Sequence, residues 1–334
     1  KKSNYSSSPE TIARRMTKKK SRQRGKTNIK SGPIAKVVPS DVVKENASIF
    51  KRGSYTIFGS KVIIDKARMT TRPITILPMT ESLIPQVGRE RKLPRVRVIP
   101  VDSFEAVHRL EDEIGQSATT VHSDDKVSAN GHVQKRDASK ARCQLGGKID
   151  TKANRISVLD FASDTNPGGG YKSNQQGTQE ESLCRRSSLA LLLESAQYPI
   201  PFMGAVLCPE VAVFRDRDLR LRPEITWVSC VAACLRSQSS AGDGSLNQSE
   251  RNIVKEKIKL VLDGMHLHGT KQVILGAWGC GAFGNDPAEI AACFVDVLKS
   301  KRGLSYGFDD IVFAIPNKKM AVIFEHAFSG FDSR

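Results

Sequence analysis

The most informative part of the sequence contains three segments: Ile156-Ser-Val-Leu-Asp-Phe161, Asn166-Pro-Gly-Gly-Gly170 and Gln179-Glu-Glu181. Its first six residues are mostly apolar, which predicts a buried strand. The three glycines permit backbone angles closed to other residues and a close approach to a ligand, and their amides can face an anion or a sugar oxygen. Acidic residues suit the first turn of a helix, so Glu180 and Glu181 predict a helix start.

Further strands and helices alternate on both sides of this stretch. The predicted strands are Val96–Val101, Val206–Leu207, Val211–Phe214, Ile225–Val231, Gln272–Leu275 and Ile311–Ile315. Helices are predicted after Asp102, over Ser182–Ser195, from Asn247 to about His268, and from Asp286-Pro287 to about Lys299. Such alternation predicts an α/β fold with a mixed or mostly parallel sheet covered by helices on both faces.

A second glycine-rich loop, Gly279-Cys-Gly-Ala-Phe-Gly284, lies between a predicted strand and a predicted helix. Its GxGxxG spacing also occurs in dinucleotide-binding folds, which carry an acidic residue at the end of a strand about 20 residues further on. Here the corresponding position falls at the end of a helix, near Leu298 and Lys299, which disfavours that fold. A glycine-rich loop before a helix N-terminus still predicts phosphate binding.

Three glycines, eight residues and then Gln-Glu-Glu form the pattern by which poly(ADP-ribose) glycohydrolases are recognised, and this chain resembles them in motif and spacing. The flanking residues 158–163 and 180–189 are similar to the microbial type of that family. The loop at 276–287 resembles the diphosphate loop of the same type. The resemblance implies a macrodomain-like three-layer α/β/α fold with a mixed central sheet and an N-terminal extension.

The resemblance also implies hydrolysis of the ribose–ribose O-glycosidic bonds of poly(ADP-ribose), releasing ADP-ribose without a cofactor. Glu181 would be the general acid and base, and Glu180 would orient the ribose hydroxyls. Ligand contacts would come from the first loop and helix start: Asn166, Gly168, Gly169, Gly170 and Gln179. The diphosphate would lie on Gly279, Cys280, Gly281, Ala282, Phe283 and Gly284, with the phenyl ring packing on the ligand.

Two alternatives share the fold. A hydrolase of mono-ADP-ribose on protein or nucleic acid would differ in pocket walls that the sequence does not reveal. A non-catalytic reader of ADP-ribose has no need of a water-activating carboxylate, so the intact Gln179-Glu-Glu181 argues against it. The expected partners are poly(ADP-ribose), ADP-ribose and ADP-ribosylated proteins, as in reversal of ADP-ribosylation during a DNA damage response.

The positive charge is concentrated at the N-terminal end. The chain of 334 residues has a net charge of +17, and its first 100 residues hold 24 Lys or Arg against 6 Asp or Glu. Residues 1–45 are predicted to be a basic, disordered tail, and 46–334 a single catalytic domain with accessory N-terminal elements and a polar insertion at about 115–152. The tail predicts either nuclear targeting or nonspecific contact with nucleic acid or another polyanion, or else a solvated segment without a partner.

Other residues restrict the class of protein. The seven cysteines include no Cys-x-x-Cys pair, which predicts free thiols in a reducing compartment and no metal site. No apolar run approaches the roughly 18 to 20 residues of a membrane helix, so the expected location is intracellular: nuclear in a eukaryote, otherwise cytoplasmic. Arg215 and the arginines that follow it alternate with aspartates, a pattern that favours a solvated loop over a phosphate clamp. Trp278 is equally compatible with core packing and with a ligand contact.

Overall fold

The computed structural model describes residues 38–69, 72–77, 93–120, 156–174 and 177–331, with side chains described to residue 115 in the helix that ends at 120. A seven-stranded sheet lies at its centre, in the order β3-β6-β7-β5-β8-β9-β4. The strands of this sheet are β3 (Ile74–Ile76), β4 (Arg95–Ile99), β5 (Ile156–Phe161), β6 (Ala205–Arg215), β7 (Leu221–Ala233), β8 (Gln272–Leu275) and β9 (Asp310–Ala314). A separate hairpin pairs β1 (Ser54–Ile57) with β2 (Ser60–Ile63).

The sheet is mixed, as the sequence predicts. Strands β7, β5, β8, β9 and β4 are parallel to one another, whereas β6 is antiparallel to β7 and β3 is antiparallel to β6. Five neighbouring strands therefore end at the same edge. The two glycine-rich segments follow β5 and β8, which are adjacent strands. They therefore start next to each other, although they are more than 100 positions apart in the sequence.

Helices cover both faces of the sheet. In chain order the described helices are α1 (Pro39–Arg52), α2 (Lys66–Met69), α3 (Ser103–Thr120), α4 (Gln179–Arg186), α5 (Leu189–Ser195), α6 (Gln248–Leu267), α7 (Pro287–Lys299), α8 (Lys301–Ser305) and α9 (Lys318–Ala327). Buried residues of α6, α7 and α9 pack on one face, and those of α3, α4 and α5 pack on the other. This is the three-layer α/β/α arrangement that the sequence predicts.

The first helix and the hairpin form the N-terminal extension. Gly53 ends α1 in the left-handed region, with φ of 72°, and leads directly into β1. Ile49 of α1 and Tyr55 of β1 pack with Phe214, near the C-terminal end of β6. They form a small core that is separate from the two main cores. Residues 39–45, which the sequence analysis places in the tail, form the first half of α1. The folded region therefore begins before residue 46.

Three further differences from the sequence predictions have local causes. The helix predicted over Ser182–Ser195 is two helices, because Ser187 is extended (φ −147°, ψ −179°) and forms an isolated bridge with Val213 of β6. The two strands predicted around Cys208 are one strand with an irregularity between Cys208 and Val211. Helix α3 continues to Thr120, into the predicted polar insertion, whose later residues lie outside the described part of the chain.

Candidate active site

Three loops meet at the carboxyl edge of the sheet, where β7, β5 and β8 end. The N–H of Ala162 donates to the carbonyl of Ala233 at 3.1 Å and joins the loops that follow β5 and β7. The indole N–H of Trp278, in the loop after β8, donates to the same carbonyl at 3.0 Å. Because ligands of open α/β sheets bind beyond the carboxyl ends of the strands, this edge is the candidate site.

The three glycines after β5 lie against the carboxylates of α4. Gly168 and Gly169 have positive φ angles of 74° and 56°. A Cβ atom on Gly169 would lie 2.9 Å from Oε2 of Glu180, and one on Gly170 would lie 2.7 Å from Oε1 of Glu181. A larger residue in the second or third position would therefore displace a carboxylate.

The N–H groups of these glycines are all used within the protein. The N–H of Gly168 donates to Glu180 at 3.1 Å, and that of Gly170 donates to Glu181 at 3.1 Å. The N–H of the middle glycine donates to the carbonyl of Asn166 at 2.9 Å. The expectation that these amides face a ligand is therefore wrong for this conformation. The glycines instead bring the loop and the two carboxylates together.

Glu180 is a buried carboxyl group held by two backbone donors. The N–H groups of Ser163 and Gly168 donate to its two oxygens at 2.9 and 3.1 Å. Burial raises the pKa of Glu180 from 4.5 to about 8, against the lowering effect of these two hydrogen bonds and with a smaller upward contribution from Glu181. Glu180 is therefore largely protonated at neutral pH and can both donate to and accept from a sugar hydroxyl.

Asp160 lies behind Glu180 on β5 and is completely buried. Neither of its carboxyl oxygens has a hydrogen-bond partner among the described residues. Burial, and then the nearby Glu180, raise the pKa of Asp160 well above its usual value. A second buried carboxyl group with a raised pKa therefore lies next to Glu180, on the core side of the site.

Glu181 is partly exposed at the protein surface, whereas Glu180 is buried. Its side chain is 13% exposed, and its two oxygens accept the N–H groups of Gly170 and Thr178, each at 3.1 Å. The second bond belongs to a capping box in which Thr178 also receives the N–H of Glu181. The carboxylate is therefore held in one orientation from two sides and is accessible to a ligand at the loop.

Arg185 holds the glycine loop from inside the protein. Its guanidinium donates to the carbonyls of Tyr171, Ser173 and Gly170 at 2.9, 3.1 and 3.4 Å. Because Arg185 lies one helical turn beyond Glu181, the helix that carries the carboxylates also carries the support of the loop. The positions of loop and carboxylates are thus coupled through α4.

The loop after β8 presents backbone donors. Gly279 and Gly284 have φ angles of 73° and 68°, and the turn closes through Gly284 N–H to Gly281 O at 3.0 Å. Within the described part of the chain, the N–H groups of Gly281, Ala282 and Phe283 make no hydrogen bond to the protein. Three consecutive amides without a protein acceptor can bind an anion such as a diphosphate.

The helix that follows contributes less to anion binding than the sequence suggests. The carboxylate of Asp286 caps α7 by accepting the N–H groups of Ala288 and Glu289 at 2.7 and 3.2 Å. These amides are therefore already satisfied by an anion of the protein itself. The amides of the loop, rather than those of the helix, are available for phosphate oxygens.

The sequence profile of the catalytic domain of microbial-type PARG matches residues 43–216, more than half of the chain. The chain belongs to the microbial-type poly(ADP-ribose) glycohydrolase family. The matched region includes the glycine run and both carboxylates of α4 but ends before the loop at 279–284. No curated protein matches the sequence.

Solved poly(ADP-ribose) glycohydrolases share the fold. The enzyme from Thermomonospora curvata superposes with a TM-score of 0.67 at 24% sequence identity, covering 87% of this chain and 99% of that one. The enzyme from Deinococcus radiodurans in complex with ADP-ribose has a TM-score of 0.57 at 25% identity and covers 79% of this chain and 97% of that one. These matches extend beyond the profile and include most of the described chain.

In this glycohydrolase Gln179 is placed differently from its predicted role. Its amide oxygen accepts the N–H of Phe161 at 2.9 Å, and its amide nitrogen donates to Leu159 O and to Ser103 Oγ at 2.8 and 3.1 Å. Both ends of the amide are thus engaged with β5 and α3 rather than directed to a ligand. Gln179 fastens α4 to the central strand. Asn166, by contrast, is exposed beside the loop.

The side chains of the second loop divide into buried and accessible ones. Trp278 is buried and bonded to β7, so it belongs to the core. Cys280 is also buried, and burial raises the pKa of its thiol to about 12, with a smaller contribution from Asp286. Its backbone N–H donates to the carbonyl of Ala277 at 3.2 Å, so neither the thiol nor the amide of Cys280 is available to a ligand. Phe283, in contrast, is half-buried in this loop of the glycohydrolase.

Sequence reasoning missed three residues that shape the site: Asp160, Arg185 and Asn285. The first stands out as a carboxylate in an otherwise apolar strand, which is a usable signal. The other two act through backbone carbonyls that only the folded chain brings near. Within the described residues, no group of three potential metal ligands lies together, and no helix is long and apolar enough to cross a membrane.

Proposed function

We propose that this chain cleaves the ribose–ribose O-glycosidic bond of poly(ADP-ribose), with Glu181 as general acid and base. The observation that carries this proposal is the position of the Glu181 carboxylate. It is fixed by the N–H groups of Gly170 and Thr178 and is still 13% exposed beside the glycine loop. A catalytic carboxyl group needs this combination of fixed orientation and access.

The proposed reaction proceeds through an oxocarbenium-like transition state. Glu181 donates its proton to the ribose oxygen that leaves, and the bond between that oxygen and the anomeric carbon breaks. A water molecule then attacks the anomeric carbon, and Glu181 takes one of its protons. The products are ADP-ribose and the shortened polymer, and Glu181 regains its initial protonation state.

Glu180 serves the reaction by binding. Because it is buried and largely protonated near pH 7, it adds little negative charge beside the anionic substrate. Its O–H can donate to a ribose hydroxyl while its remaining lone pairs accept from the loop. The three glycines support this role because they let the sugar approach closely. Their N–H groups donate within the protein and do not bind the sugar.

The diphosphate of the substrate would lie on the amides of Gly281, Ala282 and Phe283. These three consecutive amides make no hydrogen bond to the described part of the protein, and phosphate oxygens would satisfy them. The ribose loop and the diphosphate loop begin on adjacent strands, β5 and β8, which matches the short separation of the two groups in ADP-ribose.

Product analysis tests the proposal. The protein is incubated with a poly-ADP-ribosylated protein and, separately, with a mono-ADP-ribosylated one, and the released nucleotides are identified by chromatography. Release of ADP-ribose from the polymer alone supports a poly(ADP-ribose) glycohydrolase. Release from the mono-modified protein alone would identify the mono-ADP-ribosyl hydrolase, and binding without release would identify a reader.

The cellular setting is also a proposal. We expect the enzyme to meet ADP-ribosylated proteins inside the cell, in the nucleus of a eukaryote and otherwise in the cytoplasm. The basic N-terminal segment adds an expected contact with polyanions, either nucleic acid or the polymer itself.

A further inference from the structure

An arginine outside both predicted loops contacts residues that follow β5 and β8. Arg236 donates from Nε and Nη2 to the two carboxylate oxygens of Asp164, at 2.7 and 2.6 Å. The carbon Cζ of the same guanidinium lies 5.6 Å from the centre of the Phe283 ring. Asp164, Arg236 and Phe283 are called the clasp below.

Each member of the clasp comes from a different loop. Asp164 lies between β5 and the glycine run, Arg236 follows β7, and Phe283 is in the loop after β8. The clasp therefore connects the loop proposed to bind ribose with the loop proposed to bind the diphosphate. It does so with two charge-assisted hydrogen bonds and one contact between a cation and an aromatic face.

The backbone beneath Arg236 is fixed independently. The buried Lys257 of α6 donates to the carbonyls of Cys234, at 3.0 Å, and Phe202. The side-chain amide nitrogen of Asn285 donates to Leu235 O at 3.2 Å and to Gly279 O at 3.0 Å. Because the chain on both sides of the clasp is anchored, the guanidinium has a defined position although half of its side chain is exposed.

We infer that Arg236 is a positioning residue of the reaction, which sets the separation of the ribose and diphosphate loops and the orientation of the Phe283 ring. The inference rests on the proposed function. An ion pair as exposed as this one, with 53% and 24% of the two side chains accessible, contributes little to stability. Its effect should therefore appear in ligand affinity and turnover rather than in the melting temperature.

The test compares Arg236→Ala with Arg68→Ala, a control variant that loses an arginine–carboxylate pair and a cation–aromatic contact outside the loops. Arg68 also donates from Nε and Nη2 to a carboxylate, that of Glu210, and lies 4.0 Å from the centre of the Trp227 ring. These three residues lie on α2, β6 and β7, and Trp227 is six residues before the end of β7. Arg68→Ala therefore matches the lost interactions without touching the loops.

Calorimetry with ADP-ribose, and initial rates with poly(ADP-ribose), are measured for the wild type and for Arg236→Ala, Asp164→Asn, their combination and Arg68→Ala. We expect Arg236→Ala to weaken ADP-ribose binding and lower kcat/KM about tenfold, less than the roughly 100-fold that a 1 Å misplacement can cost. The effect should fall mainly on KM. The double variant should be no worse than the more affected single variant, because one unit is lost in each case.

The outcomes separate the two proposals. A wild-type protein that neither binds ADP-ribose nor cleaves the polymer would overturn the proposed function. A wild-type protein that does both, with Arg236→Ala equal to Arg68→Ala in affinity and kcat/KM, would overturn the clasp alone. Additive losses in the double variant would also overturn it, since Arg236 and Asp164 would then act separately.

Discussion

The backbone N–H of Gly170 donates to the carboxylate of Glu181 across 3.1 Å, and in doing so it links the third glycine of the loop to the proposed catalytic acid. A helix cap would need only the bond from Thr178. The additional bond orients the carboxylate toward the loop. The ordinary capping role of an acidic residue and the proposed catalytic role are therefore compatible in one side chain.

Glu181→Gln should abolish turnover and leave ADP-ribose affinity within a few-fold of wild type. The amide oxygen can still accept one of the two backbone N–H groups, but the side chain can neither donate the acid proton nor activate water. Loss of a general acid or base typically lowers the rate by roughly 10²- to 10⁴-fold. Initial rates on poly(ADP-ribose), with affinity by calorimetry, provide the check. Activity above about a tenth of wild type would contradict the assignment.

Gly281→Val should weaken binding without disturbing the fold. A Cβ atom at this position would meet nothing within 4 Å, and Gly281 is not among the glycines with positive φ. The substitution therefore costs no backbone strain, and its side chain would block the space above three loop amides. We expect the affinity for ADP-ribose to fall by at least about tenfold, equal to 1.4 kcal/mol, at an unchanged circular dichroism spectrum.

Gly279→Val is the matched comparison, because φ there is 73° and a Cβ atom would lie 2.5 Å from Nδ2 of Asn285 and 2.6 Å from the carbonyl of Leu235. That variant should lose stability as well as affinity. If Gly281→Val bound ADP-ribose as tightly as wild type, the diphosphate would have to lie elsewhere.

The buried carboxyl groups predict a pH dependence of stability. Because the pKa values of Asp160 and Glu180 are raised in the folded protein, that of Glu180 to about 8, the folded state holds protons that the unfolded state releases above about pH 4.5. Their stabilising contribution is complete below that pH and is lost as the pH rises through the raised pKa of each group, which is about 8 for Glu180. Each such proton changes the free energy of unfolding by at most about 1.4 kcal/mol per pH unit.

Asp160→Asn should reduce this slope, so that the variant gains stability relative to wild type between pH 5 and pH 8. Urea denaturation at several pH values measures the difference. Asp112→Asn, at an exposed position on α3, removes one carboxyl group without the burial and controls for the change in net charge. Parallel curves for wild type and Asp160→Asn would show that Asp160 is already ionised in the folded protein.

Much of the fold follows from local sequence signals. The strand Ile156–Phe161 and the cap of α7 at Asp286-Pro287 occur where apolar patterning and capping chemistry predict them. The family follows from the spacing of three glycines and Gln-Glu-Glu. These signals are contained in short segments, so no knowledge of the tertiary structure is needed to interpret them.

The residues that were misassigned are those whose partners are distant in sequence. Arg215, predicted to lie in a solvated loop, is buried and donates to Asn46 and Glu45 of α1 at 2.7 Å each. Gln179 bonds to Ser103, 76 positions away. Polar side chains of this kind look like surface or ligand residues until the fold shows which buried groups they satisfy.

The N-terminal basic segment can be removed without cutting into α1. Residues 1–36 contain 12 Lys or Arg and one acidic residue, whereas α1 begins at Pro39 and packs in the N-terminal core. Removing residues 1–36 therefore takes away charge and leaves the helix complete. Cleavage of short poly(ADP-ribose) should remain nearly unchanged at high ionic strength.

Binding of the truncated protein to long polymer or DNA should be weaker than that of the full chain at low salt. Contacts between Lys or Arg and phosphates gain free energy from counterion release, so the advantage of the full chain should fall steeply as salt is added. Filter binding and initial rates across a salt series measure both effects. A full-length variant separates the effect of charge from the effect of chain length. It has six basic residues changed to Gln: Lys18, Lys19, Lys20, Arg22, Arg24 and Lys26. Equal binding by all three proteins at low salt would identify the segment as a linker without a polyanion partner, and faster cleavage by the full chain at every salt concentration would instead place it at the active site.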